Sequence, residues 1–226
     1  ITMILTQKKN NGISKLVTAH LDSIAVRCPK NNIFEEIIRK FNKPVAAPSA
    51  NISGNVSPTK AMHVYEEFGK KIELIIDGGA SEKGIESTVI DARGDNPIIL
   101  RHGPITSEMI ENKINLKVLS NYKIDTVESP GQLFKHYSPN KKLIINSLKA
   151  GKHSSYLGFK NIMPDKQFNG EALNLSENGN LEEAAANLFT MIRYLDKNKS
   201  KNIMVAPIPN VGIGIAINDR LERAAQ

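Results

Sequence analysis

This 226-residue chain has one cysteine, no long apolar run and no cluster of metal-ligating residues. No stretch approaches the roughly 20 apolar residues needed to cross a bilayer, and the first residues lack the charged start and small-residue cleavage site of a signal peptide. The chain is therefore expected to be cytoplasmic, with no membrane partner. Cys28 has no second cysteine to pair with, which excludes an internal disulfide, suits a reducing compartment and leaves a buried thiol as the expectation. The histidines at 20, 63, 102, 136 and 153 show neither HxxxH nor HxH spacing and have no carboxylate companion at ligand spacing, so no structural metal is expected. Gly212 and Gly214 lack the third glycine of a dinucleotide fingerprint and precede no acidic ribose partner. NIS and NLS match glycosylation sequons in form only.

What is present begins with charge. A formal net charge of +7 and a pI near 9.4 suit an anionic partner such as a nucleotide or RNA. Lys, Asn and Ile are abundant throughout, however, and no basic stripe stands apart from the acidic residues, so an AT-biased genome explains the charge equally well.

Periodicity predicts a mixed α/β chain. ITMILT at the start, SIAVRCP (23–29), a short apolar stretch in KPVAAPSAN, IELIIDGG (72–79), STVIDAR (87–93) and PIILRHG (97–103) read as strands. NNIFEEIIRKF (31–41) reads as a helix, Ser57 and Pro58 as the start of another that stops at Gly69, and Thr106 as the cap of a third. Residues 115–140 lose periodicity and carry SPG and YSP, a linker pattern. Beyond it, KLIIN, SSYLGFK, ALNLS and NIMVAPIP read as strands, with helices in NLEEAAANLFTMIRYLDK and IAINDRLERAA; that alternation predicts a small parallel-sheet domain. The expected domains are 1–118, a linker at 119–140, and 141–226.

Three stretches could carry chemistry. AAPSANISGNVSPT (46–59) lies between an apolar strand and a helix start, where open α/β sheets place ligand loops. Its small residues admit a ligand, Ser49 and Asn51 can donate and accept, and the following helix start favours an anion; a plain strand-to-helix turn would use the same residues. GIESTVIDARGDNPIILRHGPIT places a glycine, a carboxylate and paired hydroxyls at one strand's opening and Arg101 at the next strand's end, where it is either an anion-binding fork or a surface ion-pair partner. Arg27 closes an apolar strand, where an unpaired guanidinium would be costly, so it is expected to meet an anion or an acidic side chain. SPGQLFKHYSP holds His136 and Tyr137 in a proline-bounded loop, readable equally as a linker that packs its aromatics on a domain.

LDSIAVRCP, PVAAPSANISGNVSPT, GIESTVID, RHGPIT and SPGQLFKHYSP, in this order and spacing, resemble the YrdC-like threonylcarbamoyl-AMP synthases, and GIGIAINDRLERAA resembles the close of the long form's extra domain. The resemblance implies the remainder of a YrdC-like twisted-sheet α/β domain followed by a small Rossmann-like parallel-sheet domain. It implies a nucleotidyltransferase that joins L-threonine, bicarbonate and ATP into threonylcarbamoyl-AMP with release of pyrophosphate, for tRNA N6-threonylcarbamoyladenosine. By motif, Arg27, Ser49 and Ser87 would contact L-threonine, and Ser23, Asn51, Ser57, Thr59, Arg101 and Tyr137 the nucleotide side, with Tyr137 in a loop that folds over the site. No catalytic residue is implied. Mg2+ would arrive with ATP, without assigned protein ligands, and tRNA or the downstream transferase complex are the implied partners.

The sequence departs from the family in places. The TxTxYGL stretch and the Lys-x-Arg motif that grips the triphosphate are not present, and the chain opens at Ile1 within a strand pattern, so a truncated chain, incomplete for catalysis alone, is expected. His20 stands where glycine is expected, His102 where proline is usual and Phe134 where many long forms have tyrosine. Two other readings remain: an inactive RNA-binding or accessory protein of the same fold, and the related domain of hydrogenase-maturation carbamoyltransferases, against which the linker and C-terminal domain argue.

Overall fold

The computed structural model describes residues 1–120 and 136–226. In chain order the elements are β1 (Thr2–Thr6), β2 (Ser23–Val26), α1 (Asn32–Phe41), α2 (Ala61–Phe68), β3 (Val89–Asp91), β4 (Ile98–Arg101), α3 (Ser107–Ile114), β5 (Lys142–Ile144), β6 (Ser154–Gly158), β7 (Ala172–Asn174), α4 (Leu181–Asp196), β8 (Asn202–Val205) and α5 (Ile213–Ala224). The mixed α/β class read from the sequence is what the structure shows. Contacts divide the chain into two compact units, Ile1–Pro48 with Ser87–Gln132, and Ser49–Glu86 with Leu133–Gln226. The 49–86 excursion packs with the C-terminal residues.

The first unit is a four-stranded sheet in the order β2-β1-β3-β4, with β1 parallel to β3 and the other pairings antiparallel. Its α3 is capped by Thr106, whose hydroxyl accepts from the Met109 N–H, and buries Ile110 with Ile90, Ile99 and Val118. The α1 helix is also built from local signals. Asn31 caps it by accepting from the Phe34 N–H, Arg39 and Lys40 occupy its last turn, and Asn42 ends it in the left-handed conformation at φ 53°. Its apolar positions Ile33, Ile37 and Phe41 are nevertheless exposed.

Among the described residues β2 is an edge strand, so Cys28, expected to be buried, is exposed. Arg27 is exposed too, and the desolvation cost argued from the sequence does not arise. The apolar residues near Val45 form no strand and lie exposed. IELIIDGG forms none either, with Leu74 and Ile76 exposed: β propensity produces a strand only where a neighbouring strand supplies the ladder. The helix expected from Ser57 starts at Ala61, with Lys60 as a cap that makes no side-chain bond, because the Ser57 hydroxyl is engaged elsewhere; it does stop at Gly69.

The second unit is an all-parallel sheet in the order β5-β8-β6-β7. Asn180 caps α4 by accepting from the N–H groups of Glu182 and Glu183. Helices α4 and α5 bury Leu188, Phe189, Ile192, Ile217 and Leu221 with the sheet residues Leu157, Ile203 and Val205, each such side chain contributing about 1.5–3 kcal/mol. The 49–86 excursion joins this core through Val56 and Ile85. Gly84, at φ +66°, lies so close to α4 that a Cβ there would sit 2.3 Å from the Ala185 carbonyl oxygen.

Candidate functional site

In the first unit three of the expected residues converge on one hydroxyl. Ser87 precedes β3, and its Oγ lies 2.9 Å from Thr2 Oγ1. Arg101, at the end of β4, donates from Nη2 to Ser87 Oγ at 3.2 Å, and from Nε and Nη2 to the Ser87 carbonyl at 3.1 and 2.9 Å. Arg27, just past β2, donates from Nη1 to the same Oγ at 3.4 Å. The sheet order explains the meeting: β1 carries Thr2 between the strand that leads to Arg27 and the strand that follows Ser87, and β4 pairs with β3 from the other side. Two guanidinium groups beside one hydroxyl make a positive, donor-rich point suited to a carboxylate or phosphate. Among the described residues Arg27 forms no ion pair. Ser23 is buried at the head of β2, where its carbonyl accepts from Gln7 Nε2 at 3.1 Å.

The second unit holds the remaining residues. Ser49 is exposed. Asn51 is buried, and its Nδ2 donates to the carbonyls of Ile52 and Asn55 at 2.9 and 3.2 Å; it folds its own loop, while Oδ1 is buried without a hydrogen-bond partner among the described residues. Ser57 donates from Oγ to Glu86 Oε1 at 2.6 Å. Arg220, fully buried, donates from Nε to Glu86 Oε2 at 2.9 Å and from Nη1 to Asp219 Oδ2 at 2.5 Å. Burial alone would raise the Glu86 carboxyl, but the Arg220 charge and the bonds from Ser57 and Arg220 hold it below the usual carboxylate range. Thr59 bonds Thr190 of α4 through their hydroxyls at 2.7 Å, and its N–H donates to His63 Nδ1 at 3.1 Å. Burial, then the Arg193 charge, lowers the His63 pKa and so favours the neutral ring that can accept.

Tyr137 sits in the second unit's core, 1 % exposed, at φ +63°. Its ring stacks on Phe189 at 5.4 Å, and the Arg220 guanidinium lies 5.3 Å from its centroid. Residues 129–135 of the proline-bounded loop, including Phe134, lie outside the described residues. Sequence reasoning did not single out Arg193, Thr190 or Arg220, because a helical arginine or threonine has no local signature of a partner more than 100 residues away. Among the described residues no group of three or more His, Cys, Asp and Glu side chains could hold a metal ion, and no helix is long and apolar enough to cross a membrane.

Comparison with known proteins places these features in a family. A family model described as telomere recombination matches residues 1–103, and one described as threonylcarbamoyl-AMP synthase, C-terminal domain, matches residues 105–226. The chain is 32 % identical over its whole length to the threonylcarbamoyl-AMP synthase of Pyrococcus abyssi and covers 70 % of that protein. It is 34 % identical to the Bacillus subtilis protein of the same name, covering 69 % of it. The crystal structure of P. abyssi Sua5 complexed with L-threonine superposes with a TM-score of 0.84 at 31 % identity, over 99 % of this chain and 69 % of that one.

Proposed function

The chain belongs to the threonylcarbamoyl-AMP synthase family, and from that premise we propose that it serves the formation of threonylcarbamoyl-AMP from L-threonine, bicarbonate and ATP. The observation that carries the reading is the convergence of Arg27 and Arg101 on Ser87. Arg27, exposed and without an ion pair among the described residues, takes the threonine carboxylate, with Ser87 as a second donor. That a related structure contains L-threonine supports this choice of anion. Arg101 is already spread over the Ser87 carbonyl and hydroxyl, so it sets the hydroxyl's position and adds charge on the nucleotide side. The family resemblance assigns Ser49 to the threonine side, and Ser23, Asn51, Ser57, Thr59 and Tyr137 to the nucleotide side.

The reaction needs anions held together. The threonine amine attacks the bicarbonate carbon, a C–O bond breaks and its oxygen leaves as water with the amine's proton, giving a carbamate; a carbamate oxygen then attacks the α-phosphorus of ATP, and pyrophosphate leaves with the electron pair of the broken P–O bond. Fixed cations and donors lower the cost of bringing carboxylate, carbamate and triphosphate into one place. Mg2+ would be carried by the triphosphate oxygens. Glu86 is not left to ligate it, since its oxygens accept from Ser57 and Arg220. The product would serve a transferase acting on tRNA.

Calorimetric titration of the chain with L-threonine and D-threonine tests the reading. Heat of binding for the L form alone is expected. Equal heats for both, or none for either, would overturn it.

A further inference from the structure

One face of α4 holds the loop that carries Ser49 and Asn51. Arg193 and Thr190 lie three residues apart and so project from the same side of the helix. Arg193 donates from Nε to the Ser57 carbonyl at 3.2 Å, and its Nη2 reaches both the Val56 carbonyl and Glu67 Oε1. The other oxygen of Glu67 accepts from the Ile52 N–H at 2.6 Å. The Arg193 and Glu67 side chains are only 11 % and 10 % exposed, and Thr190 adds its bond to Thr59. The loop is therefore gripped at 52, 56, 57 and 59, at the backbone in three of these positions and so independently of side-chain identity there. Asn51 ties the turn to itself between Ile52 and Asn55 and fixes its internal shape; Arg193 and Glu67 fix where it sits.

We infer that Arg193 and Glu67 are positioning residues for the substrate loop, so that the C-terminal region sets substrate affinity through α4 without touching substrate. A guanidinium is required because its planar fork serves two carbonyls and a carboxylate at once, which a lysine ammonium on a flexible stem does not reproduce. Low exposure makes the pair stringent, since removing one partner leaves the other buried without compensation. The effect on substrate rests on the function proposed above; the mechanical grip does not.

Hydrogen exchange of the whole chain, read on peptides spanning 50–60, separates the two. Arg193→Met should speed exchange there roughly tenfold or more, the loss expected for a charge-assisted bond, while amides of β6 and β8 keep their protection. Arg193→Lys should fall between, and L-threonine affinity should drop in the same order. Unchanged exchange at 50–60, or an equal rise across the whole second unit, would overturn the inference, the latter by making Arg193 a general stabiliser. Thr190→Val supplies a milder variant if Arg193→Met does not fold, and should loosen the 57–60 end alone; no change there would count equally against the grip. Failure of the wild-type chain to bind L-threonine would contradict the proposed function, while the exchange pattern would still decide the grip.

Discussion

Arg220 and Arg27 do opposite work in their two units. In the second, Arg220 is fully buried and bonded to Glu86 and Asp219 beneath the Tyr137 ring, and its charge is spent on holding residues in place. In the first, Arg27, just past the edge strand β2, is exposed and among the described residues makes only a long bond to Ser87, and its charge is available to a ligand. Hydrophobic packing divides the same way. The described core of the second unit runs from Val56 to Ala224 through both long helices, whereas the buried cluster of the first is Ile90, Ile99, Ile110 and Val118. A buried cation has to be satisfied by its own chain, while a solvated one at a sheet edge can wait for a partner.

The sharpest way to break this contrast is to truncate apolar side chains in both units. Leu188→Ala on α4, at a position with no exposure, should cost about 2–5 kcal/mol, while Ile37→Ala on the open face of α1 should stay within about 0.5 kcal/mol. Chemical denaturation of the two variants checks this; comparable losses would show that the α1 face is covered. A smaller effect of opposite sign is expected at His20, which occupies the left-handed region at φ 61° where the family resemblance expects glycine. His20→Gly should stabilise the first unit by roughly 1 kcal/mol, because glycine escapes the Cβ penalty there. A fall in stability would mean that the imidazole makes a compensating contact.

The smallest effect is the acid response of the second unit. His63 and Glu86 both have folded pKa values below their ordinary 6.5 and 4.5. For each, the folded state binds its proton less readily than the unfolded chain, so the stabilisation is complete above the ordinary value and is lost as pH falls. Thermal melts should therefore decline first below pH 6.5, where the unfolded chain takes up the His63 proton that the folded state resists, and again below pH 4.5 for Glu86; each loss is complete once pH falls through the lower folded value, where His63 stops accepting from the Thr59 N–H and Glu86 lets go of Arg220. His63→Gln should remove the first decline alone.

Local signals were legible where local chemistry decides. Asn31, Thr106 and Asn180 cap the helices that their sequences announce, and the alternation after residue 141 gives the parallel sheet. Apolar runs without a pairing partner misled, as at 72–79, because a ladder is a property of two segments. Ser57 reads as a cap and is instead a donor to Glu86, a contact across 29 residues that no turn rule encodes. Of the candidate site, the residue types and their order could be read directly. The convergence of Arg27, Ser87 and Arg101 depends on strand order, and the grip of Arg193 on the backbone of Val56 and Ser57 depends on helix docking; neither leaves a periodic trace.

The most direct measurement is the carboxylate resonance of 13C-labelled L-threonine titrated with the wild-type chain, Arg27→Ala and Ser87→Ala. The wild type should shift it, Arg27→Ala should weaken binding roughly 10- to 100-fold, as for loss of a hydrogen bond to a charged group, and Ser87→Ala should lose less. A shift that survives Arg27→Ala unchanged would contradict the assignment of the threonine carboxylate to the first unit's arginine.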